Sequence, residues 1–120
     1  MFVGICKIWL YFPNTNSLKM KRQNLNSLKE KLKNKFNISI SEIDFQNYWQ
    51  RAILGISMIN GNKKIIDKTF SNIIFEIEKF GECLISDYEI EFINIGNVHN
   101  DDKYFMEKFK GENLTNEEIS

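Results

Sequence analysis

One proline, one histidine and two cysteines in 120 residues leave little room for several familiar kinds of protein. Cys6 and Cys83 lie far apart and make no Cys-x-x-Cys pair, so the sequence predicts two reduced thiols in or near the core rather than a disulfide scaffold or redox motif. His99 stands alone in a polar C-terminal stretch, which removes Cys-His and Ser-His pairs from the folded region. No apolar run approaches the ~20 residues of a membrane-spanning helix, and the start of the chain lacks the basic and apolar regions of a signal peptide. A cytoplasmic protein without a membrane partner is expected. A glycine-rich phosphate loop is absent too, and Glu42 with Asp44 on one strand face makes a poor metal site without a third ligand. No catalytic residue, metal or cofactor is therefore nominated.

Net charge is also missing, with 16 bases against 16 acids, but the balance hides an asymmetry. Residues 1–60 carry nine Lys/Arg and three Asp/Glu, whereas residues 61–120 carry seven and thirteen. A neutral chain can thus present a basic surface, so nucleic acid is not excluded as a partner.

What is present is a regular order of elements in one domain. Phe2 to Phe12 alternates as a strand with two largely apolar faces, Trp9 and Tyr11 lying on the face away from Cys6, Ile8 and Leu10. After Pro13 and an Asn-Thr-Asn turn, Ser17 can cap a helix whose apolar positions Leu18, Leu25, Leu28, Leu32 and Phe36 fall in one sector. A second strand, from Ile38 to about Gln46, changes phase between Ile38/Ile40 and Ile43/Phe45, which a β-bulge near Ser41 to Ile43 reconciles. Arg51 to Ile59 is a third strand, and Lys63 to Phe80 a second amphipathic helix ended by Gly81. The fourth strand, Leu84 to Ile95, carries Asp87, Glu89 and Glu91 on one face, as suits an edge position. The order β-α-β-β-α-β is the split pattern of ferredoxin-like α+β domains. It predicts a four-stranded antiparallel sheet in the order 4-1-3-2 with both helices on one face. Residues 1–95 are expected to form this domain and 96–120 a polar extension, for which the sequence predicts a short helix near 101–110 followed by a disordered end.

The first helix holds the clearest functional signal. From Ser17 to Phe36 there are seven bases and one acid, and Lys19, Arg22, Asn26, Lys29 and Lys33 recur at spacings of three and four. Such a row is about 20 Å long, comparable with several successive phosphates. A solvated helix face is the plain explanation of the lysines, and contact with an anion is the alternative. The topology also brings the helix start towards Asp44, Gln46, Trp49, Gln50 and Arg51, so Ser17, Lys19, Arg22 and Arg51 are candidates for one phosphate at the helix N-terminus. Lys21 falls inside the apolar sector; it snorkels out, pairs with Glu42 or Asp44, or, as the lesser alternative, contacts a ligand. Trp49 either stacks on a base or closes the end of the core, the second being favoured. Trp9 and Tyr11 stand on the open sheet face as stacking or interface candidates. The aromatic third-strand signature of RNA-recognition domains is missing there, so burial against a second subunit, a homodimer, is the better account of that face.

At Ser17-Leu18-Lys19-Met20-Lys21-Arg22, Lys35-Phe36-Asn37-Ile38-Ser39-Ile40-Ser41-Glu42, Trp49-Gln50-Arg51-Ala52-Ile53-Leu54-Gly55 and Asp87-Tyr88-Glu89-Ile90-Glu91, the chain resembles the YlxP-like family of small bacterial proteins of unknown function. The resemblance covers residues 1–95 and leaves the extension outside. It implies a ferredoxin-like fold and supplies no reaction. In many bacteria the family's gene lies between those for a translation initiation factor and a ribosome-binding factor, which implies a link to translation or ribosome assembly. The expectation is a non-catalytic module that binds RNA or a ribosomal particle through the basic helix flank. The alternatives are a protein-interaction module using the apolar sheet face and a small-ligand-sensing dimer. The extension, with six acids and three bases from Asn97 onward, is a candidate to fold back on the basic row.

Overall fold

Ser17 begins the first helix as its position after the Asn-Thr-Asn turn predicts. Its hydroxyl accepts the Met20 N–H at 3.1 Å, and α1 runs Leu18–Lys35 before Phe36 returns the chain to extended backbone. The computed structural model describes residues 1–96. Around α1 it places β1 (Phe2–Tyr11), β2 (Ser39–Asp44), β3 (Arg51–Asn60), α2 (Lys63–Phe80) and β4 (Leu84–Asn94). Asn62 caps α2 through Lys64 N–H, and Gly81, at φ 84°, takes the left-handed turn that ends it at no steric cost.

The strands form one antiparallel sheet in the order β2-β3-β1-β4, the expected 4-1-3-2 read from the other edge. Both helices cover the same face. Cys6, Ile8 and Leu10 of β1 and Ala52, Leu54 and Ile56 of β3 meet Leu25, Leu28 and Leu32 of α1 and Ile66, Phe70, Ile73 and Ile77 of α2 in a single buried cluster. Each large aliphatic side chain buried there stabilises the fold by about 1.5–3 kcal/mol. Contact is closest at Gly4, where an added Cβ would overlap Ile66 Cγ2 and lie 2.9 Å from Phe70 Cε2. Glycine at this position lets α2 rest directly on the strand.

Two irregularities shape the far end of the sheet. Glu42 stands opposite Leu54 and Asp44 opposite Ile53, so Ile43 is the extra residue of a bulge and Glu42 stays on the helix side. Between β1 and β4 the register passes from Trp9↔Asp87 to Leu10↔Ile85, leaving Ser86 as a second extra residue. The second strand also stops earlier than its composition suggests, at Asp44 instead of Gln46. The cause is Phe45, whose φ of 64° turns the backbone out of the sheet. None of the described helices is long and apolar enough to cross a membrane. The predicted helix near 101–110, the fold-back of the extension and His99 lie outside the described residues.

Candidate anion surface and sheet-face pocket

The seven bases between Ser17 and Phe36 fall into three groups. Lys21 sits on the buried stripe with Leu25, Leu28 and Leu32. Lys31 and Lys35 point to α2, where both reach the buried Glu76: Lys35 hydrogen-bonds Oε1, and Lys31 Nζ lies 3.5 Å from Oε2. Lys19, Arg22, Lys29 and Lys33 line the opposite flank, turned away from α2, and none has an ion-pair partner among the described residues. Lys19, Arg22 and Lys33 are exposed, and Lys29 is half-buried.

Glu76 is held below the ordinary carboxylate value, first by the Lys35 hydrogen bond, against burial pushing it up, with the charges of Lys35 and Lys79 and the Lys31 hydrogen bond adding to the lowering. It was missed in the sequence although Ile73, Glu76 and Ile77 share one sector of α2. A charge inside an apolar stripe was the available signal, as it was for Lys21. Both thiols shift the other way from Glu76: burial pushes Cys6 and Cys83 up to about 11, Glu82 contributing at Cys83.

Lys21 is fully buried, so it leaves the set of RNA-facing cations. Its ammonium donates to Phe45 O at 2.7 Å, Arg51 O at 3.0 Å and Gln46 O at 3.4 Å, with Glu42 Oε2 at 3.4 Å as a charge contact. Asp44 does not join it; its Oδ1 accepts the neighbouring Phe45 N–H at 2.7 Å. The Phe45 carbonyl also takes the Tyr48 N–H at 3.0 Å, and the two rings meet edge to face at 5.1 Å between centroids. Several hydrogen bonds therefore hold one residue in a conformation that costs about 1–3 kcal/mol.

Arg51 does not share a phosphate site with Ser17, Lys19 and Arg22. Its register partner is Tyr11, which places its side chain on the open face while α1 lies on the other. Ser17 commits its hydroxyl to the helix cap. Trp49 does not close the core: it is 55% exposed, beside Tyr48 and Gln50 in the β2–β3 connection, because Gln50 rather than Trp49 ties that loop to Thr15 O and Pro13 O. Trp9 is half-buried under the Lys7 ammonium, 4.7 Å from the ring centroid, and Tyr11 is exposed.

The open face divides along β1. At one end Val3 stands in register with Ile59 and Ile93 across three strands, and Ile5, next on that face, lies between Ser57 and Glu91. At the other end lies a cavity of about 460 Å³ lined by Trp9, Tyr11, Phe45, Arg51, Ser86 and Asp87. No three His, Cys, Asp or Glu side chains gather among the described residues.

Residues 3–90 match the family described as "Protein of unknown function (DUF503)". The chain belongs to this family. It is also 35% identical over 80 residues to "Uncharacterized protein YlxP" of Bacillus subtilis (strain 168), an alignment covering 67% of this chain and 87% of that protein. Among solved structures it is similar to "Structural Genomics, protein YJCS", at 9% identity and a TM-score of 0.50, over 78% of this chain and 99% of that one. A de novo designed protein, Foldit4, aligns over 80% of this chain and 100% of its own, at 13% identity and a TM-score of 0.48. The segment shared with the DUF503 family contains α1, the Lys21 cluster and the whole lining of the cavity.

Proposed function

We propose that this DUF503 protein is a non-catalytic cytoplasmic module on a ferredoxin-like βαββαβ scaffold that binds RNA, such as the RNA of a ribosomal particle, through the outer flank of α1. One observation carries this reading: pairing absorbs Lys21, Lys31 and Lys35, while Lys19, Arg22, Lys29 and Lys33 have no ion-pair partner among the described residues. Four cations spaced along one flank over about 20 Å match a phosphate backbone. The family resemblance, with its genes set among those for translation, points the same way.

Filter binding with ribosomal RNA at low salt tests it. Each phosphate neutralised contributes a slope of about −0.7 to −0.9 in log K against log salt, so four cations predict a slope no steeper than about −4. Reversing Lys19, Arg22, Lys29 and Lys33 to Glu should weaken binding at least about tenfold in a protein that stays folded, because surface changes of about 0.5 kcal/mol per site sum to about 2 kcal/mol. Reversing Lys31 and Lys35 should instead destabilise the fold through Glu76. Unchanged affinity in the fourfold variant removes this surface from the argument.

A second reading, a protein-interaction module that pairs with its own copy, draws on the apolar half of the open face. Ile5, Ile59 and Ile93 are exposed there in adjacent strands. Apolar side chains clustered in this way mark interaction surfaces more often than isolated ones do.

A further inference from the structure

The cavity at the end of the open face is built from behind. Lys21, buried under α1, hydrogen-bonds the carbonyls of both Phe45 and Arg51, two of its lining residues. Phe45 is held at φ 64° with its ring against Tyr48. A strained residue fixed by a buried cation is a supported wall, and strain of this kind concentrates at ligand sites. The volume, about 460 Å³, lies in the range of small-molecule pockets, about 300–1000 Å³.

Its chemistry is bipolar. Trp9 and Tyr11 are on the central strand β1, Arg51 comes from β3 on one side, and Asp87 comes from β4 on the other. The backbones that carry Arg51 and Asp87 stand two strand spacings apart, about 10 Å across the sheet, and are offset along it, Arg51 facing Tyr11 and Asp87 facing Trp9. Asp87 Oδ1 takes the Tyr88 N–H at 2.8 Å, leaving Oδ2 free for a donor, and the bulge exposes Ser86 beside it. An anion belongs at the Arg51 end, where planar recognition of phosphate or carboxylate is strongest, and a planar ring belongs between. An α-amino acid cannot span these ends, because its two charged groups share one carbon. A nucleotide can, from phosphate to exocyclic amine.

We infer that this cavity binds a nucleotide with an amino-bearing base, the phosphate on Arg51, the base on Trp9, Tyr11 and Phe45, and the exocyclic amine on Asp87 and Ser86. The nucleotide is either free or an unpaired residue of an RNA strand. The site lies on the face opposite the helices and stands independently of the α1 flank.

Calorimetric titration of the full chain with AMP, CMP, GMP, UMP, their nucleosides and a short single-stranded RNA tests the inference. Saturable one-site binding is expected, with UMP weakest by about tenfold or more, the loss that follows from removing one hydrogen bond to a charged group. Arg51→Gln should weaken nucleotides about tenfold or more and leave nucleosides unchanged. Asp87→Ala should erase the difference between AMP and UMP, and Tyr11→Ala should weaken nucleotide and nucleoside alike by about tenfold. All three positions are exposed, and melting temperatures near that of the parent will show that each variant is folded. Tighter binding of the RNA assigns the site to a strand, and tighter binding of the mononucleotide assigns it to a free ligand. The fourfold α1 variant should keep mononucleotide binding even as it loses ribosomal RNA, so the two readings fail separately. No saturable binding of any nucleotide at millimolar concentration overturns the inference, as does an equal loss of nucleoside and nucleotide in Arg51→Gln.

Discussion

Lys21 shows how one side chain can organise a loop at a distance in sequence, through hydrogen bonds from its own helix to the β2–β3 connection. Its ammonium ties α1 to the β2–β3 connection by donating to three backbone carbonyls, those of Phe45, Gln46 and Arg51. Lys21→Met keeps the stem and removes the charge, leaving those carbonyls without their donor and Glu42 without its cation. Removing one partner of a buried, hydrogen-bonded charge costs about 3–5 kcal/mol. For a domain of this size the melting temperature should fall by more than about 10 °C. Lys19→Met, two residues earlier and exposed, should stay within about 0.5 kcal/mol. Urea denaturation of the pair measures both, and equal stability of Lys21→Met and its parent would make the buried ammonium dispensable.

Element by element, periodicity carried the reading where each segment has one face to bury. Ser17 and Gly81 announce helix ends because capping is local chemistry, and the phase change from Ile40 to Ile43 announces a bulge because pleating has period two. The pocket was not legible on those terms. It needs Phe45 in the left-handed region and Ser86 bulged out of β4, and aromatic residues give no local signal for a positive φ. The contact between α1 and α2 was hidden for another reason: Glu76 lies among isoleucines, and only the assembled fold shows Lys31 and Lys35 coming from the other helix to meet it. That clamp has a pH signature. Folding lowers the Glu76 pKa from its ordinary value of 4.5, so its contribution is fully present above that value and is lost as pH falls through the lower folded value. Acid unfolding followed by circular dichroism should show stability dropping below about pH 4.5 in the parent, with a shallower drop in Glu76→Gln. Parallel curves for the two proteins would mean that the clamp does not set acid sensitivity.

Across the described residues, the sheet order sets acidic and basic elements apart. The acid-bearing β4 occupies one edge, and α1 packs over the β2 side with its unpaired cations turned away from α2. Between these edges, the open face offers an apolar half around Val3 and a polar, aromatic half around Tyr11. A second copy placed on the apolar half by a two-fold axis would bury Ile5, Ile59 and Ile93 against the same patch of its partner, since such an interface uses one patch twice. Ile59 is the sharpest probe because it is 62% exposed, so a charge there costs the monomer little and the interface much. Sedimentation velocity at micromolar concentration should find a dimer for the parent and a monomer for Ile59→Glu. The melting temperature should rise with protein concentration only in the parent. If both proteins sediment as monomers and melt alike at every concentration, the apolar half does not pair with itself. If instead Ile59→Glu is monomeric and still binds mononucleotide with parental affinity, the two halves of the face act independently: one assembles the protein and the other recognises a ligand.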